Sequence, residues 1–149
     1  MEYCTECRDT LNLEVTNYSI NNYGLPLCII HQKWINEMEN YTTQETIRLY
    51  FALRQRGVPA SLEHFDGYKH IDIAIPDAKV NIEVDGGHHN YNTNQALSDL
   101  KRTYFSFLKG FYTIRIPNSL VYSDNVLEET ADYLVSFLNE NVKKNYYRR

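Results

Sequence analysis

The chain has 149 residues, 43% of them hydrophobic, enough for one core of ordinary domain size plus a small appendage. Its net charge of −4 excludes a protein held on nucleic acid by overall positive charge alone. Charges interrupt every apolar run short of membrane-spanning length, and the start lacks the basic and apolar regions of a secretory leader, so a cytoplasmic protein without a membrane partner is expected.

Residues 1–33 are polar, hold all three cysteines and show no strong helical stripe, so they read as a module separate from residues 34–149. Cys4 and Cys7, then Cys28 and His31, form Cys-x2-Cys and Cys-x2-His pairs with twenty residues between them. Soft thiolate and imidazole ligands at this spacing are the signature of a structural zinc site, and four of them fill a tetrahedral shell. The alternative is three unpaired cysteines and a surface histidine. A segment this short has little else to fold on, which favours the metal.

Residues 34–40 read as a short helix or linker. The spacing then predicts a helix over 43–56, with Ile47, Leu49, Tyr50, Phe51 and Leu53 as a broad apolar face and Gly57-Val58-Pro59 as its stop. Thr42-Thr43-Gln44-Glu45 fits a capping box, in which Glu45 bonds back to the cap backbone. Glu45 also stacks above Leu49 and Ala52, on the inward side. Strands are predicted over 60–65, 70–75 and 79–85. Ile71, Ile73 and Ile75 alternate with His70, Asp72 and Ala74, and Val80, Ile82 and Val84 alternate with Asn81, Glu83 and Asp85. Pro76-Asp77-Ala78 is the turn of a hairpin. A second helix is predicted over 93–109, carrying a stripe of Leu97, Leu100, Tyr104, Phe107 and Phe111, with Gly110 as its stop. A strand over 112–116 ends at Pro117-Asn118. The last helix starts near Asp124, with Leu127, Ala131, Leu134 and Leu138 at helical spacing, and the basic tail over 143–149 reads as frayed. The order predicts an α/β chain with a mixed sheet flanked by helices.

The hairpin carries the chemistry. With Asp77 and Ala78 as loop residues, Pro76 faces Lys79 and Asp72 falls opposite Glu83. Like charges directly opposite on a sheet are destabilising, and Asp85 shares the face. Water, a basic partner or a metal ion has to compensate them. Hard oxygen ligands at this spacing suit Mg2+ or Mn2+. A solvated polar sheet face is the plain alternative. Against it, acidic residues are poor strand formers, and Gly86-Gly87-His88-His89 follows at once.

The stretch from His70 to Pro76, with Asn81-Ile82-Glu83-Val84-Asp85-Gly86-Gly87-His88-His89, resembles the PD-(D/E)xK nuclease superfamily. It is most similar to small endonuclease-like domains related to very-short-patch-repair endonucleases. Asp99-Leu100-Lys101-Arg102, Gly110 and Ile114-Arg115-Ile116 match the helix and strand that follow in that branch. The resemblance spans residues 43–118 and extends into the last helix. It implies a restriction-endonuclease-like fold and a metal-dependent DNA endonuclease, with Asp72, Glu83 and Asp85 as Mg2+ (or Mn2+) ligands. Asp85 stands where the superfamily usually has a lysine, which leaves His88, His89 and Lys101 as candidates to orient water. Lys101 shares a helical flank with Leu97, Tyr104 and Leu108 and so could point toward the sheet, but a snorkelling surface lysine is the favoured reading. Glu45 is a further candidate near the metal. Arg102 is implied as a phosphate contact, against the plain reading of an ion pair with Asp99. Arg115, on the strand face opposite Ile114 and Ile116, is free to meet the carboxylates or DNA.

The cysteine module resembles treble-clef-like zinc knuckles of bacterial and phage DNA-handling proteins. It is expected to assist binding of DNA or a protein partner, and a second copy of the chain is also left open. The competing function is a nuclease-derived DNA- or protein-binding protein that does not cut. A third reading, with His88-His89-Asn90 as part of an HNH-type motif, leaves Asp72 and Glu83 unexplained.

Overall fold

The computed structural model describes residues 1–86 and 92–147, with backbone alone at 144–147. It divides into two compact units, Met1–Thr42 and Thr43–Arg149.

In the first unit, β1 (Glu2–Tyr3) pairs antiparallel with β2 (Thr10–Leu11), followed by α1 (Leu13–Tyr23) and α2 (Ile29–Met38). Sequence periodicity showed no strong helix in this region, because the residues that α1 buries are polar: Thr16 and Ser19. Ser19 Oγ donates to the Leu25 carbonyl at 2.7 Å and accepts from the Leu27 amide at 2.8 Å. Gln32 Nε2 donates to the Leu27 carbonyl at 2.8 Å. Hydrogen bonds to the backbone around Leu27 therefore take the place of an apolar stripe. The ends of α1 follow ordinary rules: the Asn12 side chain accepts from the Val15 amide at 2.8 Å, and Gly24 closes the helix at φ 79°. Helix α2 runs through residues 33 and 34, where the sequence suggested a boundary.

The second unit begins with α3 (Gln44–Gln55), then β3 (Ser61–Phe65), β4 (His70–Ile75), β5 (Val80–Asp85), α4 (Thr93–Leu108), β6 (Tyr112–Pro117) and α5 (Asp124–Tyr147). The strands form a mixed four-stranded sheet in the order β3-β4-β5-β6. The β3–β4 and β4–β5 pairs are antiparallel, and β5–β6, joined through α4, is parallel. The apolar face read in the hairpin is buried, with Ile71, Ile73, Ile75, Val80, Ile82 and Val84, as are Leu49 and Leu53 of α3 and Leu127, Ala131, Leu134 and Leu138 of α5; Ala74, Asn81 and Glu83 of the other face are buried too. Helices α3 and α5 pack on each other, and Arg56 fastens them by ion pairs to Glu128 and Asp132. Among the described residues no helix is long and apolar enough to cross a membrane. Helix α5 continues to Tyr147, through part of the tail expected to fray.

Helix α4 departs from expectation. Leu97, Leu100, Tyr104 and Phe107, read as its inward stripe, are exposed. The flank turned inward is polar: Asp99, Arg102 and Thr103 are half-buried, and Ser106 is buried against Asn81 at 3.2 Å. These residues recur at helical spacing as regularly as the apolar ones. The sheet face beneath α4 is the polar one, carrying Asn81 and Glu83, so a polar helix flank satisfies it.

Candidate functional site

Strand β4 loosens from both neighbours at Asp72. Its register with β3 pairs Leu62 with Ile73 and His64 with Ile71, which leaves Glu63 opposite Asp72. Glu63 has φ 50°, a left-handed conformation that costs a non-glycine residue about 1–3 kcal/mol. On the other side the pairing ends at Ile73 with Ile82, so Asp72 falls opposite Glu83, as the hairpin count predicted. The Val84 amide donates instead to Asp72 Oδ2 at 2.9 Å. The break in the ladder leaves the Val84 amide to the Asp72 carboxylate and so holds the carboxylate against β5.

Glu83 is 7% exposed, and its Oε1 has no hydrogen-bond partner. Burial, reinforced by the neighbouring Asp72 charge and only partly opposed by Lys69 and Arg102, pushes its carboxyl up to about 8. Between 4.5 and about 8 the native state therefore holds a proton that the unfolded chain has released. The unfolding free energy of metal-free protein falls as pH rises through that window. Urea titrations at pH 5 and pH 8 are expected to show this loss in the wild type and a smaller loss in Glu83→Gln.

Three cations surround the pair. Lys69 places Nζ 3.9 Å from Glu83 Oε1, with its side chain 9% exposed, and burial lowers its pKa against the attraction of Glu83. Arg102 donates to the His70 carbonyl at 3.3 Å and lies 3.7 Å from Asp99, so it is turned toward the sheet and keeps the expected ion pair. Arg115, the register partner of Glu83, lies 3.6 Å from Asp85 and donates to Thr103 at 2.9 Å. The structure thus brings Asp72 and Glu83 together and gives Asp85 an arginine. Sequence reasoning missed Lys69. Its signal was the Asp66-Gly67 turn, which sets Lys69 immediately before β4.

The remaining candidates are more scattered. Glu45 is half-buried in the first turn of α3, but the cap is Thr43, whose side chain accepts from the Thr46 amide at 3.2 Å. The third helical position is therefore Thr46, and the expected capping box does not form. Lys101 is exposed alongside Leu97, Tyr104 and Leu108, so it faces away from the sheet. His88 and His89 lie outside the described residues. A cavity of about 960 Å³ between β6 and α5, lined by Tyr112, Leu120, Tyr133 and Phe137, includes neither Asp72 nor Glu83.

Among the described residues, one group of three or more metal-type ligands converges: Cys4, Cys7, Cys28 and His31, with ligand atoms within 4.8 Å of one another. Cys7 Sγ is 3.9 Å from Cys28 Sγ, and His31 Nδ1 is 3.1 Å from Cys28 Sγ and 3.6 Å from Cys4 Sγ. Zinc bonds of about 2.0–2.3 Å give tetrahedral edges of about 3.5–3.8 Å, so this set can bind zinc. Burial alone would raise the Cys4 thiol, but backbone amides at Cys28, Cys7 and Glu6 outweigh it and hold the pKa below its ordinary value. Amides aimed at a thiolate are the usual outer support of a thiolate metal site.

No family model matches the chain, and no curated protein matches it. Among solved structures, it is similar to the catalytic domain of the homing endonuclease I-Bth0305I, with TM-score 0.55 and 15% sequence identity. The chain shares that domain's fold. The match covers 68% of this chain and 99% of that domain, so the likeness is to a whole catalytic domain.

Proposed function

We propose that this chain is a divalent-metal-dependent DNA endonuclease of the PD-(D/E)xK type, akin to the very-short-patch-repair branch. Glu83 carries the reading: a buried carboxylate with an unpartnered oxygen, set beside Asp72 where β4 leaves the regular ladder. An unpartnered buried oxygen is costly unless a ligand completes it. Paired carboxylate oxygens are the donors Mg2+ and Mn2+ prefer, so the residues fit such an ion. Asp72 and Glu83 would hold it, joined by Asp85 once Arg115 turns away, and Glu45 is a further candidate. When bound, the ion would supply charge stabilisation at the scissile phosphate and a more acidic water. Arg102 balances Glu83 from α4, and Arg115, with a side chain 40% exposed, can exchange Asp85 for a phosphate oxygen. A Zn2+ ion on Cys4, Cys7, Cys28 and His31 would hold the Met1–Thr42 unit together for DNA or partner binding.

The Arg115–Asp85 ion pair, at 3.6 Å, favours a second reading, in which a nuclease-derived fold grips DNA or protein without cutting. Supercoiled plasmid separates the two. The endonuclease yields nicked or linear products in Mg2+ or Mn2+ and none with EDTA. No product on duplex, nicked, mismatched or branched DNA in either metal, with binding that survives EDTA, establishes the binder.

A further inference from the structure

Lys69 carries its ammonium on a side chain only 9% exposed, which neither the hairpin pattern nor the zinc module accounts for. Lysine is seldom buried, and when it is, it has a partner. Here the nearest carboxylate oxygen, Glu83 Oε1, is 3.9 Å away, beyond hydrogen-bond length, and is itself without a hydrogen-bond partner. Two strong polar groups therefore stand 3.9 Å apart, close enough that a single oxygen atom could touch both.

The mount beneath Lys69 is rigid. Asp66 Oδ1 accepts from the Tyr68 and Lys69 amides, both at 2.8 Å, and the Asp66 amide donates to the Lys69 carbonyl at 3.0 Å. The Tyr68 ring packs on Phe105 of α4 at 4.9 Å between centroids. An Asx turn and an aromatic contact thus fix the start of a flexible side chain, which is what a precisely aimed group needs. The residue two positions after Glu83, Asp85, is an acid beside Arg115, so no ammonium comes from β5. Lys101 is turned outward.

We propose that Lys69 is a catalytic residue of this nuclease, donating a hydrogen bond from Nζ to the water that attacks the scissile phosphate while Glu83 flanks the same water. The inference rests on the endonuclease reading. In the step, a bond forms from the water oxygen to phosphorus as the bond from phosphorus to the leaving sugar oxygen breaks. One water proton passes to solvent and the sugar oxygen takes one up. The ammonium keeps its proton throughout and fixes the direction of attack.

The test uses full-length protein with its zinc: wild type, Lys69→Met, Lys69→Arg and Lys69→Ala. Single-turnover plasmid cleavage in Mn2+, Mn2+ titration calorimetry without DNA and thermal melting are read for each. Lys69→Met is expected to cut about 10²–10³-fold more slowly, with DNA affinity within about twofold of wild type. It should bind Mn2+ at least as tightly, because a positive charge beside the carboxylates is gone. Methylammonium should restore part of the rate to Lys69→Ala and none to wild type. If Lys69→Met melts early, folded Lys69→Arg and the amine rescue of Lys69→Ala decide. Folded Lys69→Met cutting within threefold of wild type overturns the assignment, as do Mn2+ binding lost with the lysine and amine rescue absent in folded Lys69→Ala. A wild type that cuts no DNA in either metal overturns the endonuclease reading instead.

Discussion

Asp72→Asn and Glu83→Gln are each expected to remove metal-dependent DNA cleavage, by roughly a thousandfold or more, while the protein stays folded. The magnitude follows from losing several kcal/mol of metal-supplied charge stabilisation in the transition state. The fold should survive because both changes preserve shape. In Asp72→Asn the side-chain amide oxygen can still accept from the Val84 amide, the bond that Asp72 Oδ2 makes at 2.9 Å. Glu83→Gln relieves the penalty of a buried charge, so this variant without metal should melt at or above the wild-type temperature near pH 8. Plasmid nicking followed beside circular dichroism separates the two effects. Loss of cutting with an unchanged melt supports a ligand role, and retained cutting in either variant removes that carboxylate from the site.

Zinc removal is expected to unfold the Met1–Thr42 unit. Its buried apolar residues are few, chiefly Leu25, Leu27 and Ile35, and its sheet is two strands of two residues each. Segments of this kind draw on about 10–16 kcal/mol of metal binding for their folding. Chelation, or Cys28→Ser, should abolish the helical signal of α1 and α2 and open residues 1–42 to protease. The Thr43–Arg149 unit, with its own core of Ile73, Ile82, Leu49 and Leu53, should keep a separate melting transition. Metal analysis should find zinc lost in step with the helical signal. Protease resistance that persists after complete zinc removal would contradict a structural role for the ion.

Legibility in the sequence depended on whether one local period decided the structure. The β4–β5 hairpin was readable residue by residue, because apolar and polar positions alternate and the Pro76 turn fixes the register. Helices α3 and α5 were readable from their apolar stripes. Helix α1 was not, because it buries Thr16 and Ser19 and satisfies them through the backbone of Leu25 and Leu27, contacts between segments that a helical period does not show. Helix α4 misled for the opposite reason. Its apolar stripe is real, but the sheet face it covers is polar, so Thr103 and Ser106 turn inward and Leu100 and Phe107 stay exposed. Lys101 shares that flank and is exposed with it, in line with its reading as a surface lysine.

Within the candidate site, Asp72 and Glu83 were legible as a pair from register alone. That Arg115 could meet the carboxylates was legible from its strand face, but its choice of Asp85 was not, since a parallel partner comes from a strand beyond α4 and no local spacing sets its register. Lys69 escaped for a similar reason. It belongs to no strand pattern, and its approach to Glu83 depends on the turn held by Asp66.

Crystals soaked in Mn2+ offer the most direct measurement. An anomalous difference peak bridged by the Asp72 and Glu83 carboxylates, lost in Glu83→Gln, is the predicted result. Manganese bound only elsewhere, with Glu83 still facing Lys69 and no peak beside Asp72, would contradict a metal-dependent catalytic site on this hairpin.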